Sequence, residues 1–126
     1  MHDKIGAYLE NVTTAVIAGH TRPDGDCAGA TLALYNYIRD NYPQVHVDLY
    51  LEPVAEVYKV IKNSDRIISD YDRDFTYDVF FALDSSDKER LAGAVKYFDT
   101  ARRTVCIDHH ISNEGFADEN IIFPKA

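Results

Sequence analysis

The chain has little that would cross-link it and little that would hold it to a polyanion. It contains 2 cysteines in 126 residues, Cys27 and Cys106, far apart and in no CxxC pattern. That excludes a disulfide framework or a zinc knuckle and fits a reducing cytoplasm. Basic residues number 13 against 21 acidic ones, a formal net charge of −8. A surface that tracks long nucleic acid is therefore excluded, because phosphate backbones are bound mainly through Lys and Arg. No apolar run approaches the roughly 20 residues of a membrane span, and the start, "MHDKIGAYLENV", is polar and amphipathic, unlike a signal peptide. Repeats, low-complexity tracts and linkers are missing too, so the 126 residues read as one domain.

What the chain does have is an alternation of β-branched apolar runs with helical periods. The order is "TTAVIAGH", "AGATLALYNYIRDNYP", "VHVDLYLE", "PVAEVYKVIKNS", "DRIIS", "YDVFFALD", "SDKERLAGAVKYFDTA" and "RTVCID", preceded by a first helix. Runs such as "AVIAG" and "VFFAL" are apolar at successive positions, as strands covered on both faces must be. The pattern predicts an α/β fold: a three-layer αβα arrangement around a mainly parallel, Rossmann-like sheet of about five strands. In the helix after the first strand, Ala30, Leu34, Tyr37 and Ile38 recur at near-helical spacing, and Pro43 ends the run. Asp87 is a candidate N-cap for a helix whose Leu91, Val95 and Phe98 face the sheet. "HHISNEGFADEN" reads as the one long polar loop.

Three predicted strand ends carry polar clusters. The first supplies His20, Asp24 and Asp26 in "GHTRPDGDCAGA", the fourth Asp84 in "ALDSSD", and the fifth Asp108, His109 and His110 in "IDHH". Ligands of open α/β sheets gather outside the carboxyl ends of the strands, so strands one, four and five, if adjacent, bring these groups into one crevice. Crowded carboxylates repel unless cations separate them, and mixed carboxylate and imidazole donors fit manganese, iron or zinc. Each cluster also has a plainer reading. "PDGD" is turn chemistry, Asp26 or Asp84 can cap a helix, and "DGDCAGATLALY" lacks the later oxygen ligands of an EF-hand. Arg22, inside the first cluster, suits a phosphate oxygen, and Ser85 and Ser86 suit an anion at a helix start. Cys106 and the tyrosines read as packing, and His46, between Val45 and Val47, as an ordinary strand residue.

Taken in order, "HTRPDGD", "ALDSSD" and "IDHH" resemble the first three motifs of the DHH phosphoesterase superfamily. The likeness covers nearly the whole chain. "HTRPDGDCAGA" and the ending "NIIFPKA" are similar to its bacterial exopolyphosphatase-related branch, whose members degrade very short RNAs and dephosphorylate phosphoadenosine phosphate. Other members are single-strand exonucleases, inorganic pyrophosphatases, polyphosphatases and cyclic dinucleotide phosphodiesterases.

The resemblance implies two manganese ions, and the carboxylate-rich donor set also admits magnesium. One is held by His20, Asp24 and Asp84, the other by Asp26, Asp84 and His109, with Asp84 bridging. It implies further that His110 faces the substrate phosphate, that Asp108 orients a histidine or lies near the metals, and that a metal-activated water is the nucleophile. The expected substrate is a small nucleotide or short oligonucleotide, with no membrane partner; a homodimer is left open. The family's catalytic lobe normally continues to a fourth acidic motif and a C-terminal substrate-binding lobe. Glu114, Asp118 and Glu119 follow the third motif too closely to match that acid, so residues 1–126 are expected to be a truncated catalytic lobe. A non-catalytic metal- or nucleotide-binding fragment is the alternative.

Overall fold

Five residues, Thr14–Ala18, form the first strand, β1, and four of them are buried completely. Ala15 and Ile17 enter one core and Val16 and Ala18 the other. Such a strand needs cover on both sides. The computed structural model describes residues 4–19, 25–51, 62–68, 76–83, 91, 93–108 and 117–122. In chain order these give α1 (Lys4–Tyr8), β1, α2 (Gly25–Asn41), β2 (His46–Tyr50), β3 (Ile67–Ile68), β4 (Val79–Leu83), α3 (Val95–Thr100), β5 (Arg103–Asp108) and β6 (Glu119–Ile122). The strands form one sheet in the order β3-β2-β1-β4-β5-β6, and every pairing is parallel. No described helix is long and apolar enough to cross a membrane.

The two faces of the sheet carry separate cores. On one, Leu32, Leu34, Tyr35 and Ile38 of α2, with Leu9, pack on Ile17, Leu49, Phe81 and Val105. On the other, Tyr97 and Phe98 of α3, with Leu91 and Ala94, pack on Val16, Tyr50, Phe80 and Ala82. Tyr97 stacks on Tyr50 with centroids 4.8 Å apart and meets Tyr77 edge-on at 5.6 Å. The tyrosines here are packing residues, as is Cys106, which is fully buried. The three-layer α/β fold is therefore as the sequence predicts.

Two details differ from expectation. The sheet has a sixth strand, β6, whose first residue, Glu119, lies in the stretch read as loop and pairs with Val105. In α2 the buried stripe is Thr31, Leu32, Leu34, Tyr35 and Ile38, whereas Ala30 and Tyr37 share the exposed arc with Ala33. β3 and β4, consecutive in sequence, are separated in the sheet by β2 and β1, in keeping with the expected adjacency of strands one, four and five. Asp87 and residues 53–61 of the helix read in "PVAEVYKVIKNS" lie outside the described residues, and its last residue, Ser64, starts a 3₁₀ turn, Ser64–Arg66.

Parallel register is set partly by two reciprocal Asp–Thr pairs. Asp78, just ahead of β4, accepts from the Thr13 and Thr14 N–H groups at 2.9 and 3.3 Å and from the Thr13 hydroxyl at 3.0 Å. Its own N–H donates to Thr14 Oγ1 at 3.0 Å. Asp118, just ahead of β6, repeats the device: it accepts from the Thr104 N–H at 3.0 Å and donates to Thr104 Oγ1 at 2.8 Å. Asp118 thus serves the sheet at the amino end of its strand, away from the carboxyl ends.

Hydrogen bonds from Thr13 and Thr14, helped by Arg102, hold the Asp78 carboxyl below its ordinary value. A depressed folded pKa adds stability that is complete above the unfolded value and disappears as pH falls through the folded one. Asp78→Ala is expected to cost about 2 kcal/mol at neutral pH, the scale of hydrogen bonds to a charged group. In urea denaturation, its difference from the parent should shrink on acidification below the ordinary carboxylate range. A gap that stays constant with pH would show that the charge of Asp78 does not matter.

Candidate functional site

The strand order reverses direction between β1 and β4, since the chain builds β1, β2, β3 outward to one edge and then β4, β5, β6 towards the other. Such a switch point opens a crevice outside the carboxyl ends of the two central strands, because their following connections leave to opposite faces. The ends themselves are level. Ala18 of β1 sits beside Ala82 of β4, and Ala82 beside Cys106 of β5. Adjacent strands are about 4.8 Å apart, so the outer two of these three ends are separated by only about 10 Å.

From these ends the three polar motifs continue. Gly19 is the last described residue before His20, Leu83 the last before Asp84, and Asp108 closes β5 directly before His109. The predicted adjacency of strands one, four and five is therefore present. His20, Arg22, Asp24, Asp84, His109 and His110 lie outside the described residues. Asp26 and Asp108 are placed through their main chains alone, near the start of α2 and at the end of β5. Among the described residues there is no group of three or more His, Cys, Asp or Glu able to hold a metal ion. The three motifs together write imidazoles and hard carboxylate oxygens. That chemistry fits a divalent ion such as manganese.

A second polar constellation, not singled out from sequence, lies on β2. Asp48 is 8% exposed. Tyr77 Oη donates to its Oδ2 at 2.6 Å, and His46 Nε2 lies 3.1 Å from its Oδ1. The Tyr77 and Tyr50 hydroxyls are 3.3 Å apart. Burial, then the hydrogen bond to Asp48, pushes the Tyr77 phenol far above its ordinary value, so it remains a neutral donor to the carboxylate. The only signal in the sequence was an Asp at an inward position of an otherwise apolar strand. His46 is more than an ordinary strand residue, since it shares this carboxylate.

Comparison with known proteins bears on the crevice. No curated protein gives a significant match to the chain. The sequence pattern described as DHH family, N-terminal domain, matches residues 14–126, a span that runs from the first residue of β1 and takes in all three motifs. The chain belongs to the DHH family.

Proposed function

We propose that the chain is a metal-dependent phosphoesterase lobe that hydrolyses phosphate esters of small nucleotides or short oligonucleotides. The observation that carries this reading is the level, adjacent placement of the β1, β4 and β5 ends from which "HTRPDGD", "ALDSSD" and "IDHH" continue. In this reading His20, Asp24 and Asp84 hold one divalent cation and Asp26, Asp84 and His109 a second, with manganese the preferred ion. Asp84, following the central strand of the three, is the shared ligand. When bound, the ions supply Lewis acidity and make a coordinated water acidic enough to react near neutral pH.

The remaining roles belong to the chain's own groups. His110 donates a hydrogen bond to a phosphate oxygen and so favours charge that grows there in the transition state. The Arg22 guanidinium pairs with the same phosphate. Asp108 orients a histidine ring by accepting its second N–H, which fixes the tautomer. Substrates of the exopolyphosphatase-related branch, short RNAs and phosphoadenosine phosphate, are the first to try.

The test is a manganese titration of chelator-stripped protein against bis-p-nitrophenyl phosphate, a dinucleotide and phosphoadenosine phosphate. Hydrolysis is expected to fall to background in the stripped protein and to return with manganese. Undiminished hydrolysis without metal sinks the mechanism, and metal binding without turnover of any of the three identifies a binding lobe instead.

A further inference from the structure

The two central strands, β1 and β4, are apolar at successive positions, and that leaves their register open. A slip of one residue turns every side chain of a strand to the opposite face. In β1 it would exchange Ala15 and Ile17 for Val16 and Ala18, and in β4 Val79 and Phe81 for Phe80 and Ala82, all of them buried and apolar. Burial of apolar surface changes little in such an exchange, so shape and polar contacts must select the register. The crevice depends on that choice. One residue of slip moves a strand end by about 3.3 Å, whereas metal–ligand distances hold to about 0.2 Å.

At the other ends of these strands, polar contacts converge on one residue. Asp78 stands one position before Val79, which pairs with Ala15 of β1 on one side and Arg103 of β5 on the other. Towards β1, its Oδ2 accepts from the Thr13 N–H and hydroxyl and from the Thr14 N–H. Its own N–H is shared between Thr14 O at 3.1 Å and Thr14 Oγ1 at 3.0 Å. Towards β5, its C=O accepts from the Arg103 N–H at 3.1 Å, and its Oδ1 lies 3.7 Å from Arg102 Nε. Every polar group of Asp78 is engaged, and the partners belong to the two strands that flank β4 or directly precede them. The contacts fit one register alone. A slip of β1 by one residue in either direction puts Val12 or Ala15 in place of one of the two threonines, and neither carries a hydroxyl.

We propose that Asp78 is a positioning residue for the metal centre: by pinning the amino ends of β1, β4 and β5 in one register, it keeps level the carboxyl ends from which the three motifs continue. The inference rests on the metal site proposed at those ends. Asp78 acts along the strand, since Ala82 lies four positions on, about 13 Å away. Asp118 is the internal comparison. It makes the same reciprocal contact with Thr104, but it ties β5 to β6, whose end carries none of the three motifs.

The test measures manganese affinity by calorimetric titration, and register by NMR contacts among Ala18, Ala82 and Cys106 in the metal-free protein. Asp78→Ala is expected to weaken manganese binding by about tenfold or more, which corresponds to about one molecule in ten retaining the level register. The contacts of Ala82 should move to the neighbours of Ala18 and Cys106. Asp118→Ala should leave affinity within about twofold. Should Asp78→Ala not fold, the threonines decide: Thr13→Val with Thr14→Val removes both hydroxyls and should weaken binding, whereas Thr13→Ser with Thr14→Ser keeps them and should retain the parent affinity. A purely structural role predicts the reverse order, because Val is the better strand former. A parent that binds no manganese overturns the metal reading and the positioning role with it. A parent that binds, with register and affinity surviving Asp78→Ala or the double Val exchange, leaves the metal reading standing and overturns the positioning role alone. Equal losses in Asp78→Ala and Asp118→Ala overturn it too.

Discussion

Asp84→Asn is expected to lower manganese-dependent hydrolysis by at least about a thousandfold, roughly 4 kcal/mol of transition-state stabilisation, while leaving folding stability nearly unchanged. The choice of Asn separates the two roles open to this residue. Asn and Asp cap helix N-termini almost equally well, so a residue needed only to start the following helix tolerates the exchange. A shared metal ligand does not, because the neutral amide offers one weak oxygen in place of a charged carboxylate able to serve two ions. The position makes the effect large. Asp84 continues from Leu83, which pairs with Ile107 of β5, while Ala82 beside it pairs with Ala18 of β1. A residue at the end of the middle strand is the one best placed to reach donors from both sides. Activity and manganese affinity measured together decide the matter: a variant that keeps both would make Asp84 a cap.

Much of this architecture was legible because burial on both faces leaves an unmistakable trace. "AVIAG" and "VFFAL" are apolar at successive positions, and the structure buries Ala15–Ala18 and Val79–Phe81 completely. The candidate site is read from the motifs for a different reason, since polar clusters placed directly after such runs have few structural uses there. What escaped was whatever depends on neighbours in space. Spacing along α2 made Ala30 and Tyr37 look equivalent to Leu34 and Ile38, but the sheet sits against the arc through Thr31, Tyr35 and Ile38. β6 is four residues long and begins beside an Asp, with no hydrophobic run long enough to announce it. Its register comes from the Asp118–Thr104 pair, a contact between residues that nothing in the linear pattern connects.

The largest effect on stability is expected from Phe81→Ala. Phe81 is fully buried, flanked in the sheet by Ile17 and Val105, and covered edge-on by the Tyr8 ring at 6.4 Å. Removing a ring from such a place costs about 3–5 kcal/mol, because rigid strands on either side cannot collapse into the cavity. Against a total stability of about 5–15 kcal/mol, the variant is left marginal, with a melting temperature lowered by about 15 °C or more. This also provides a test of the metal site that needs no turnover. An ion that binds the native state alone stabilises it by mass action, about 2.7 kcal/mol at a hundredfold excess over Kd. Manganese should therefore recover much of the loss in Phe81→Ala and little of it when Asp84→Asn is added. Equal recovery in the two variants would place the ion away from the β1, β4 and β5 ends, since a cation bound elsewhere has no reason to depend on Asp84.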